Sequence, residues 1–417
     1  MQWLNRAMLR LLIENTLDRE ERIMAEWQRV RLGNIIKTNQ NIYSTKESWQ
    51  FVNYLDTGNI TMNRVKEIRY INTDIDKLPS RARRKVKFNS IIYSTVRPDQ
   101  LHYGIIKEQP DNFLISTGFT VIDVDSRKAV PDFIYYILTR KDVTEHLQAI
   151  AEQSVSAYPS LKPSDIENLK VLLPDVDTQK KIVFVLSVID EKIALNTQIN
   201  NNLEQQAQAI FSNEFLTLET LPDSWKQASL IDIADYLNGL AMQKYRPTVD
   251  ETGIPVLKIK ELRQGRCDDN SELCSPNIKS EYIIHDGDVI FSWSGSLLVD
   301  FWCGGICGLN QHLFKVTSNK YDKWFYYAWT KHHLDRFIAV AADKATTMGH
   351  IKRDELSKAE VLIPNEADYK RIGDLLQPIY DLIIANRIEN KKLAEARDTL
   401  LPKLMSGEID ISEVDYE

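Results

Sequence analysis

The chain has 417 residues, of which 43% are hydrophobic and 27% charged, a balance typical of a soluble globular protein. Its formal charge of −7 argues against a uniformly basic nucleic-acid protein but is compatible with a local basic surface. The length is too great for one ordinary core and predicts two domains plus connecting elements. Every apolar run is far shorter than the roughly 20 residues that span a bilayer, so we expect no membrane protein.

Residues 1–24 are predicted to form a helical extension with Leu4, Met8 and Leu11 on one face. Arg10 interrupts its apolar run and no small-residue cleavage site follows, which argues against a secretory signal. Two interpretations stay open for the extension: a simple N-terminal cap, or a docking element that closes a ring-like pseudo-symmetry.

Four cysteines lie in the second half of the chain, at spacings that do not form the tight Cys-x2-Cys pairs of a zinc site. They are Cys267, Cys274, Cys303 and Cys307. Reduced thiols and a cytoplasmic location are therefore expected.

From Trp27 onward, one order of predicted elements occurs twice. The strand-like runs at 27–36, 51–60 and 88–98 have counterparts at 225–234, 254–262 and 286–296. A helix follows in each half, over 133–150 and 324–341, and then a β-like run, VLLP (Val171 to Pro174) or VLIP (Val361 to Pro364). We call the distance in sequence from Pro174 to Pro364 the repeat offset. The repetition indicates a duplicated unit.

A long amphipathic segment follows each of these runs, with apolar residues at alternating steps of three and four. In the first segment the positions are Ile182, Leu186, Ile189, Ile193, Asn196, Asn200 and Leu203. In the second they are Ile372, Leu376, Ile379, Ile383, Asn386, Asn390 and Leu393, each displaced from the first set by the repeat offset. The matched asparagines favour two helices that pair with each other, because buried amides set register. The alternative, two unrelated helices each packed on its own domain, does not account for the matched pairs.

The predicted fold class is α+β: two mixed α/β domains in tandem, each followed by a long helix. The expected boundaries are 1–24 for the extension, 25–174 for the first domain, 175–222 for the first long helix and linker, 223–364 for the second domain, 365–405 for the second long helix and 406–417 for a tail.

The common catalytic motifs are absent from the sequence. It has no Asn-Pro-Pro-aromatic loop for a flipped adenine, no Gly-x-Gly and no Gly-Lys-Ser/Thr. Adjacent His332 and His333 would point to different faces of a helix, and no carboxylate partner for a metal stands out. We expect no catalytic, cofactor-binding or metal-binding residue in this chain.

Two basic stretches are the candidate DNA-binding residues, since cations at alternate positions of a strand would share one face. The first comprises Arg81, Arg83, Arg84, Lys85 and Lys87, followed by Arg97; the second comprises Lys258, Lys260, Arg263 and Arg266, with Gln264 able to read adenine edges. Either run alone is better explained as solvated surface. Their similar places in two duplicated domains favour a role in binding nucleic acid. Trp293, in a Ser-Trp-Ser-Gly loop, is the aromatic residue expected at the surface.

Four stretches resemble the specificity (S) subunit of type I restriction-modification enzymes, along with the duplicated layout. They are GDVIFSWSGS (Gly287 to Ser296), YSTVRP (Tyr93 to Pro98), NLKVLLP (Asn168 to Pro174) and RDTLLPKLMSGEI (Arg397 to Ile409), the last being the most specific. The resemblance covers the chain from Trp27 to Met405.

The resemblance implies two target-recognition domains, each reading one half of a bipartite double-stranded DNA target, held apart by an antiparallel coiled coil of the two long helices. It also implies a non-catalytic subunit that binds two modification subunits and, through them, restriction subunits. S-adenosylmethionine, ATP and magnesium would belong to those partners. Base-reading residues differ so much between members that no single contact is transferred.

Three other interpretations stay open. The chain could be the recognition subunit of a related restriction system, a nuclease or methyltransferase with an unrecognised site, or a coiled-coil protein whose domains bind protein.

Overall fold

The computed structural model describes residues 27–154, 158–343 and 351–416. The extension predicted at 1–24 lies outside the described residues. The chain divides into two compact units. The first unit runs up to Ile189 and includes the C-terminal segment from Ala396, and the second is Asp190–Glu395.

Short strands dominate the described part of the first unit. They are β1 Gln28–Arg31, β2 Ile36–Thr38, β3 Phe51–Leu55, β4 Ile60–Thr61, β5 Arg64–Val65, β6 Arg69–Asn72, β7 Ala82–Arg84, β8 Ile91–Ser94, β9 Tyr103–Ile105, β10 Phe113–Ser116, β11 Phe119–Val124 and β12 Lys170–Leu173. Its helices are α1 Pro131–Thr139, α2 Lys141–Glu152 and α3 Pro163–Glu167, and α4 Val176–Phe211 continues into the second unit.

The second unit repeats this order. Its elements are β13 Lys226–Ser229, α5 Leu230–Ile233, β14 Asp235–Asn238, β15 Ile254–Leu257, α6 Ile259–Gln264, β16 Leu273–Cys274, β17 Ile283–Ile284, β18 Val289–Ser292, β19 Leu298–Phe301, β20 Cys307–Leu309, β21 Leu313–Thr317, α7 Lys323–His332, α8 Leu334–Asp343, α9 Asp354–Ser357 and β22 Glu360–Ile363. The last helix, α10 Glu366–Ser406, continues into the first unit. Short 3-10 turns, among them Pro98–Gln100, connect several strands.

The sheets have the same topology in the two units. The orders β2-β11-β8-β9 and β6-β3-β10-β7 in the first unit correspond to β14-β21-β18-β19 and β16-β15-β20-β17 in the second. The antiparallel pair β1-β12 likewise corresponds to β13-β22. The predicted duplication and the predicted α+β class are therefore confirmed. We call the elements from β1 to β12 domain 1 and the elements from β13 to β22 domain 2.

The central strands β8 (IIYS) and β18 (VIFS) are buried along their whole length. A strand covered on both faces is apolar throughout rather than alternating, which explains the continuous apolar runs at these two places in the sequence. Phe291 of β18 packs against Tyr236, Phe314 and Phe337 in the core of domain 2.

Three predicted elements differ in the structure. The run 254–262 is a strand only up to Leu257, because the Glu261 carboxylate accepts a hydrogen bond from Lys258 N (3.2 Å) and starts a helix there. The single helix predicted over 133–150 is interrupted at Arg140, whose ψ of 143° is not helical. The helix predicted over 324–341 is likewise divided, between His332 and Leu334.

The long helices begin at matched caps after Pro174 and Pro364. The Asp175 carboxylate accepts hydrogen bonds from Asp177 N and Thr178 N, both at 3.0 Å. Asn365 Oδ1 accepts one from Asp368 N at 2.9 Å. Side-chain acceptors at this position satisfy backbone donors that the first turn leaves free. Each long helix therefore starts where its own preceding strand ends.

Residues at matched positions of the first turn attach each long helix to its own domain. Gln179, fully buried, accepts from Val130 N and donates to Pro174 O, both at 2.8 Å. Tyr369, its equivalent by the repeat offset, accepts from Asp322 N at 2.8 Å. In both units the bonded amide lies at the start of the paired helices α1–α2 or α7–α8, so these bonds tie the start of each long helix to its own domain.

Candidate nucleic-acid interface

The first basic stretch lies on β7, an edge strand of its sheet. Strand alternation places Ala82 and Arg84 on one side and Arg81, Arg83 and Lys85 on the other. Ala82 is fully buried, so Arg84 points the same way, into the protein. Burial lowers the pKa of Arg84, and its Nε has no hydrogen-bond partner among the described residues. Arg84 is therefore a poor candidate for a phosphate contact.

Two lysines of this stretch already have carboxylate partners. Lys85 forms an ion pair with Glu47, a hydrogen bond that lowers the pKa of that carboxyl, and its ammonium lies 5.0 Å from the Trp49 ring. Lys87 lies 3.5 Å from Asp123. Arg81 and Arg97 are exposed and Arg83 is half-buried. The cations best placed to meet DNA are thus Arg81, Arg83 and Arg97.

The second basic stretch is not a strand and does not occupy the place equivalent to the first. It follows β15, the equivalent of the central strand β3, whereas the first lies on β7, whose equivalent is β17. Lys258 pairs with Glu272 (2.6 Å) and Lys260 with Asp268 (3.0 Å). The two basic stretches therefore do not lie at similar places, contrary to the prediction, because strand order cannot be read from a charge pattern. The remaining candidates of this stretch, Arg263, Gln264 and Arg266, are exposed at the end of α6.

Trp293, expected at the surface, is half-buried. Its ring packs against Phe314, with centroids 5.7 Å apart, and lies 6.1 Å from the His312 ring. Its Nε1 donates to Asn238 Oδ1 at 3.0 Å. It thus closes one end of the domain 2 core while its edge stays accessible.

Four asparagines join the two long helices in the second unit. Asn386 Nδ2 donates to Asn200 Oδ1 and Asn196 Nδ2 donates to Asn390 Oδ1, both at 2.9 Å. From Asn196 to Asn200 the residue number rises along α4, while that of the bonded partner falls from Asn390 to Asn386 along α10. The two helices are therefore antiparallel. Exchanging each asparagine for its equivalent by the repeat offset turns one bond into the other, as a pseudo-twofold axis requires. The predicted antiparallel pairing of the two long helices is confirmed in this unit, where asparagines at matched positions bond to each other.

The predicted interface positions are largely buried. Ile182, Leu186, Ile189, Ile193, Asn196, Asn200, Ile372, Leu376, Ile383 and Asn386 are buried, and Leu203, Ile379, Asn390 and Leu393 are half-buried. In the second unit several of these positions share one hydrophobic core with domain 2, among them Ile372, Leu376 and Ile383. Domain 2 therefore packs on side chains that also belong to the interface between the two long helices.

Arg387 connects three elements of the second unit, and sequence reasoning missed it. Its guanidinium donates to Asp300 Oδ1 of β19 (2.6 Å) and to Glu204 Oε1 of α4 (2.8 Å). Only 26% of its side chain is exposed. The signal that could have found it is an arginine directly beside the interface position Asn386. By bridging both helices and domain 2, it fixes how that domain sits on the helix pair.

The described residues contain no group of three or more His, Cys, Asp or Glu side chains that could hold a metal ion. Cys267, Cys274, Cys303 and Cys307 are unbridged, and burial raises the pKa of Cys274 and Cys303 to about 11. Among these residues no helix is both long and apolar enough to cross a bilayer.

Two segments, 24–205 and 222–396, each match the family model described as the type I restriction modification DNA specificity domain. Each match begins at a mixed domain and runs into its long helix. The chain belongs to this family.

Two specificity subunits illustrate the relationship. That of the type I restriction enzyme HindI from Haemophilus influenzae is 22% identical over 93% of this chain and 100% of its own length. That of MjaIX from Methanocaldococcus jannaschii is 26% identical over 68% of this chain and 70% of its own length. A crystal structure of the type I restriction-modification S subunit from M. genitalium matches with a TM-score of 0.53 at 16% identity, covering 91% and 96% of the two chains, and shows the fold.

As a type I restriction-modification DNA specificity protein, the chain carries its DNA specificity domain twice. The first match contains every strand from β1 to β12, and the second contains every strand from β13 to β22.

Proposed function

We propose that this chain is the DNA-recognition subunit of a type I restriction-modification system. Domain 1 and domain 2 each read one half of a bipartite double-stranded target, and the paired long helices set the unread spacer. The observation that carries the proposal is the buried antiparallel asparagine pair Asn200–Asn386, combined with two domains of identical sheet order. Rigid helices that carry two similar but chemically different domains suit a divided target, since half-site spacing follows the geometry of the protein.

The lengths of the helices are consistent with a spacer role. At about 1.5 Å per residue, the 36 residues of α4 extend about 54 Å and the 41 residues of α10 about 62 Å. One turn of B-DNA is about 34 Å long, so helices of this length exceed the separation of successive groove faces.

The chain itself supplies recognition, and we propose that chemistry comes from partners. Two modification subunits would dock on the outer faces of the helix pair and methylate adenine with S-adenosylmethionine. Restriction subunits would join through them, using ATP and magnesium. Burial of the asparagines and the apolar positions between the helices leaves their outward faces as the surface for such docking. Purified chain incubated alone with DNA, magnesium and S-adenosylmethionine should neither cleave nor methylate DNA; turnover would instead support an enzyme.

The spacer role is tested by lengthening the helix pair. We would insert four residues, about one turn, between Asn200 and Gln208, with a matched insertion between Gln377 and Ile383 of the facing helix. Methylome sequencing of a host that carries the modification subunits should show a longer spacer with both half-sites unchanged. An altered half-site with the old spacer would refute the role. Gln206→Ala, an exposed substitution in the same segment, is the matched control and should leave the spacer unchanged.

A further inference from the structure

The two domains carry the same loop frame at the end of their central strands, and the strand registers define it residue by residue. Ser94, the last residue of β8, lies opposite Phe119 of β11. Ser292, the last residue of β18, lies opposite Leu313 of β21. Both serines are buried, and each hydroxyl donates into the turn that follows it. Ser94 Oγ donates to Val96 O at 2.9 Å, and Ser292 Oγ lies 2.9 Å from Ser296 O and 3.3 Å from Ser294 O. The residues that follow Ser94 and Ser292 are therefore equivalent.

The backbone of this loop is anchored alike in both domains. Thr95 O accepts from Leu161 N at 2.7 Å, and Trp293 O accepts from Ile351 N at 3.1 Å. Leu161 and Ile351 are both buried, and they are separated by the same repeat offset that relates the asparagine pairs. Two independent anchors thus hold an equivalent loop at an equivalent place.

The third residue after each serine has a left-handed backbone. In domain 2 this is Gly295, with φ of +66°, where glycine adopts the conformation without steric cost. In domain 1 it is Arg97, with φ of +49°. An arginine is strained in this region, and strained residues persist where the surrounding structure imposes them, most often at functional sites.

The side chain of Arg97 is directed by an aromatic neighbour. Its guanidinium lies 5.3 Å from the centroid of the Tyr158 ring, which is itself 60% exposed. Within the described residues the guanidinium forms no ion pair, and Arg97 is exposed. Stacking on an aromatic face holds the guanidinium plane while leaving N–H donors at its edge available.

The same loop adjoins the first basic stretch. Thr95 donates both its N–H (2.8 Å) and its hydroxyl (2.9 Å) to Gly118 O. Thr117, the residue before Gly118, donates its N–H to Arg81 O at 2.8 Å. We call Thr95, Arg97, Gly118 and Tyr158 the β8 corner; its position beside Arg81 places it next to cations suited to a phosphate backbone.

The equivalent β18 corner comprises Trp293, Gly295, Gln311 and His312, and its chemistry differs. His312 replaces Gly118 and Gln311 replaces Thr117 in the register. The His312 ring lies between two side chains: its Nδ1 is 3.4 Å from Ser294 Oγ, and its Nε2 is 3.4 Å from Gln311 Nε2. Gln311 and His312 are both half-buried. One frame thus presents an arginine in one domain and an amide with an imidazole in the other.

We propose that these two corners are the base-reading edges of the two domains, with Arg97 reading a guanine and Gln311 an adenine. This rests on the proposed function. A guanidinium fork matches the O6 and N7 acceptors of guanine, and a carboxamide matches the N7 acceptor and N6 donor of adenine. A constant frame that carries different side chains is what two domains need to read two different half-sites.

The test uses the assembled methyltransferase, that is, this chain with its modification subunits. Methylome sequencing of a host that expresses the wild type first defines the bipartite target. Absence of any bipartite target would refute the proposed function itself. With the target known, DNA affinity is measured for the target and for duplexes with one base pair replaced at each position. The ratio between them reports discrimination at that position.

Arg97→Gly is the decisive variant, because domain 2 already carries glycine at this place and the loop should fold without strain. We expect an unchanged or higher melting temperature and a loss of roughly 10-fold or more in discrimination at one guanine of one half-site. Arg97→Lys, which keeps the charge but not the fork, should lose the same discrimination. Arg127→Ala, an exposed arginine of the same domain, is the control and should keep the full ratio.

Gln311→Ala should lose discrimination at an adenine of the other half-site, with Gln227→Ala as its control. If Arg97→Gly weakens binding to every duplex equally and leaves each ratio intact, Arg97 contacts phosphate and the inference is overturned. An effect of both variants on the same half-site would overturn it as well.

Discussion

Asn386 donates a hydrogen bond to Asn200 at 2.9 Å across the two long helices, and both side chains are buried. Asn200 in turn donates to Ile383 O at 3.2 Å, so its amide uses donor and acceptor together. A satisfied polar pair inside an apolar interface costs stability relative to leucine but allows only one register. Since the helices carry the domains, register is the property on which a divided DNA target depends.

Asn200→Leu should destabilise the protein by about 1–3 kcal/mol, because the Asn386 amide loses its buried acceptor. The double variant with Asn386→Leu should recover most of this loss, since neither polar group then remains, while the helices lose the pair that sets register. Urea unfolding gives both free energies. Asn201→Leu, on the exposed face, should change stability by less than about 0.5 kcal/mol. A double variant less stable than the single one would contradict the argument.

Arg387→Met should lower the free energy of unfolding more than Arg371→Met. Arg387 is 26% exposed and bonded to Asp300 and Glu204, so its removal leaves two partly buried carboxylates and should cost about 2 kcal/mol. Arg371 binds Glu214 at 2.8 Å but is 51% exposed, and its loss should cost less than about 1 kcal/mol. The comparison is made by chemical denaturation. Equal costs would mean that the Arg387 network does not hold domain 2 on the helices.

Because His333 is buried, we expect the free energy of unfolding to fall in mild acid. Burial lowers its pKa to about 4, while Nε2 donates to Glu360 O at 2.7 Å. Between pH 4 and about 6.5 the unfolded state binds a proton that the folded state does not, so stability rises with pH through this window. The expected contribution is on the order of 2 kcal/mol, lost as pH falls from 6.5 towards 4.

Melting curves between pH 4 and 7 measure this dependence. His333→Gln should flatten the slope, whereas His285→Gln, an exposed histidine, should retain it. An unchanged slope in His333→Gln would assign the acid sensitivity to other groups.

Gly239→Ala should damage domain 2 selectively. A Cβ at Gly239 would lie 2.2 Å from Asn310 O and 2.5 Å from Leu309 O, both backbone atoms that cannot move aside. Overpacking of this kind typically costs about 1–3 kcal/mol. Asn310 directly precedes Gln311, so recognition of one half-site should weaken while the other is retained in methylome sequencing. Gly58→Ala, whose Cβ would meet nothing within 4 Å, is the control in domain 1. Loss of both half-sites in Gly239→Ala would contradict a local effect.

Arg81→Gln with Arg83→Gln should reduce the salt dependence of DNA binding. Each phosphate contact contributes about 0.9 to the slope of log K against log salt, so the slope should fall by about 1–2. Lys85→Gln, whose charge is already paired with Glu47, should change the slope less. Titrations of the assembled complex at several salt concentrations give the slopes. A larger effect of Lys85 than of the two arginines would show that the ion pair with Glu47 does not keep Lys85 from DNA.

The sequence by itself determined the duplicated layout, the two long helices and the asparagines that join them. These features depend on local periodicity, on similar runs in the same order and, from VLLP and VLIP onward, on one constant offset, all of which are visible without coordinates. The buried central strands β8 and β18 were equally visible, because a strand covered on both faces is apolar throughout.

Only the tertiary structure decided which cations are available and which residues are equivalent. Lys258, Lys260 and Lys85 pair with carboxylates distant in sequence or across a turn, and Arg84 turns inward with Ala82. The parallel runs 88–98 and 286–296 already align Arg97 with Gly295, but only the strand registers made Gly118 equivalent to His312. Charge pairing and register depend on how separate segments pack, and a linear pattern of charges carries no information about that packing.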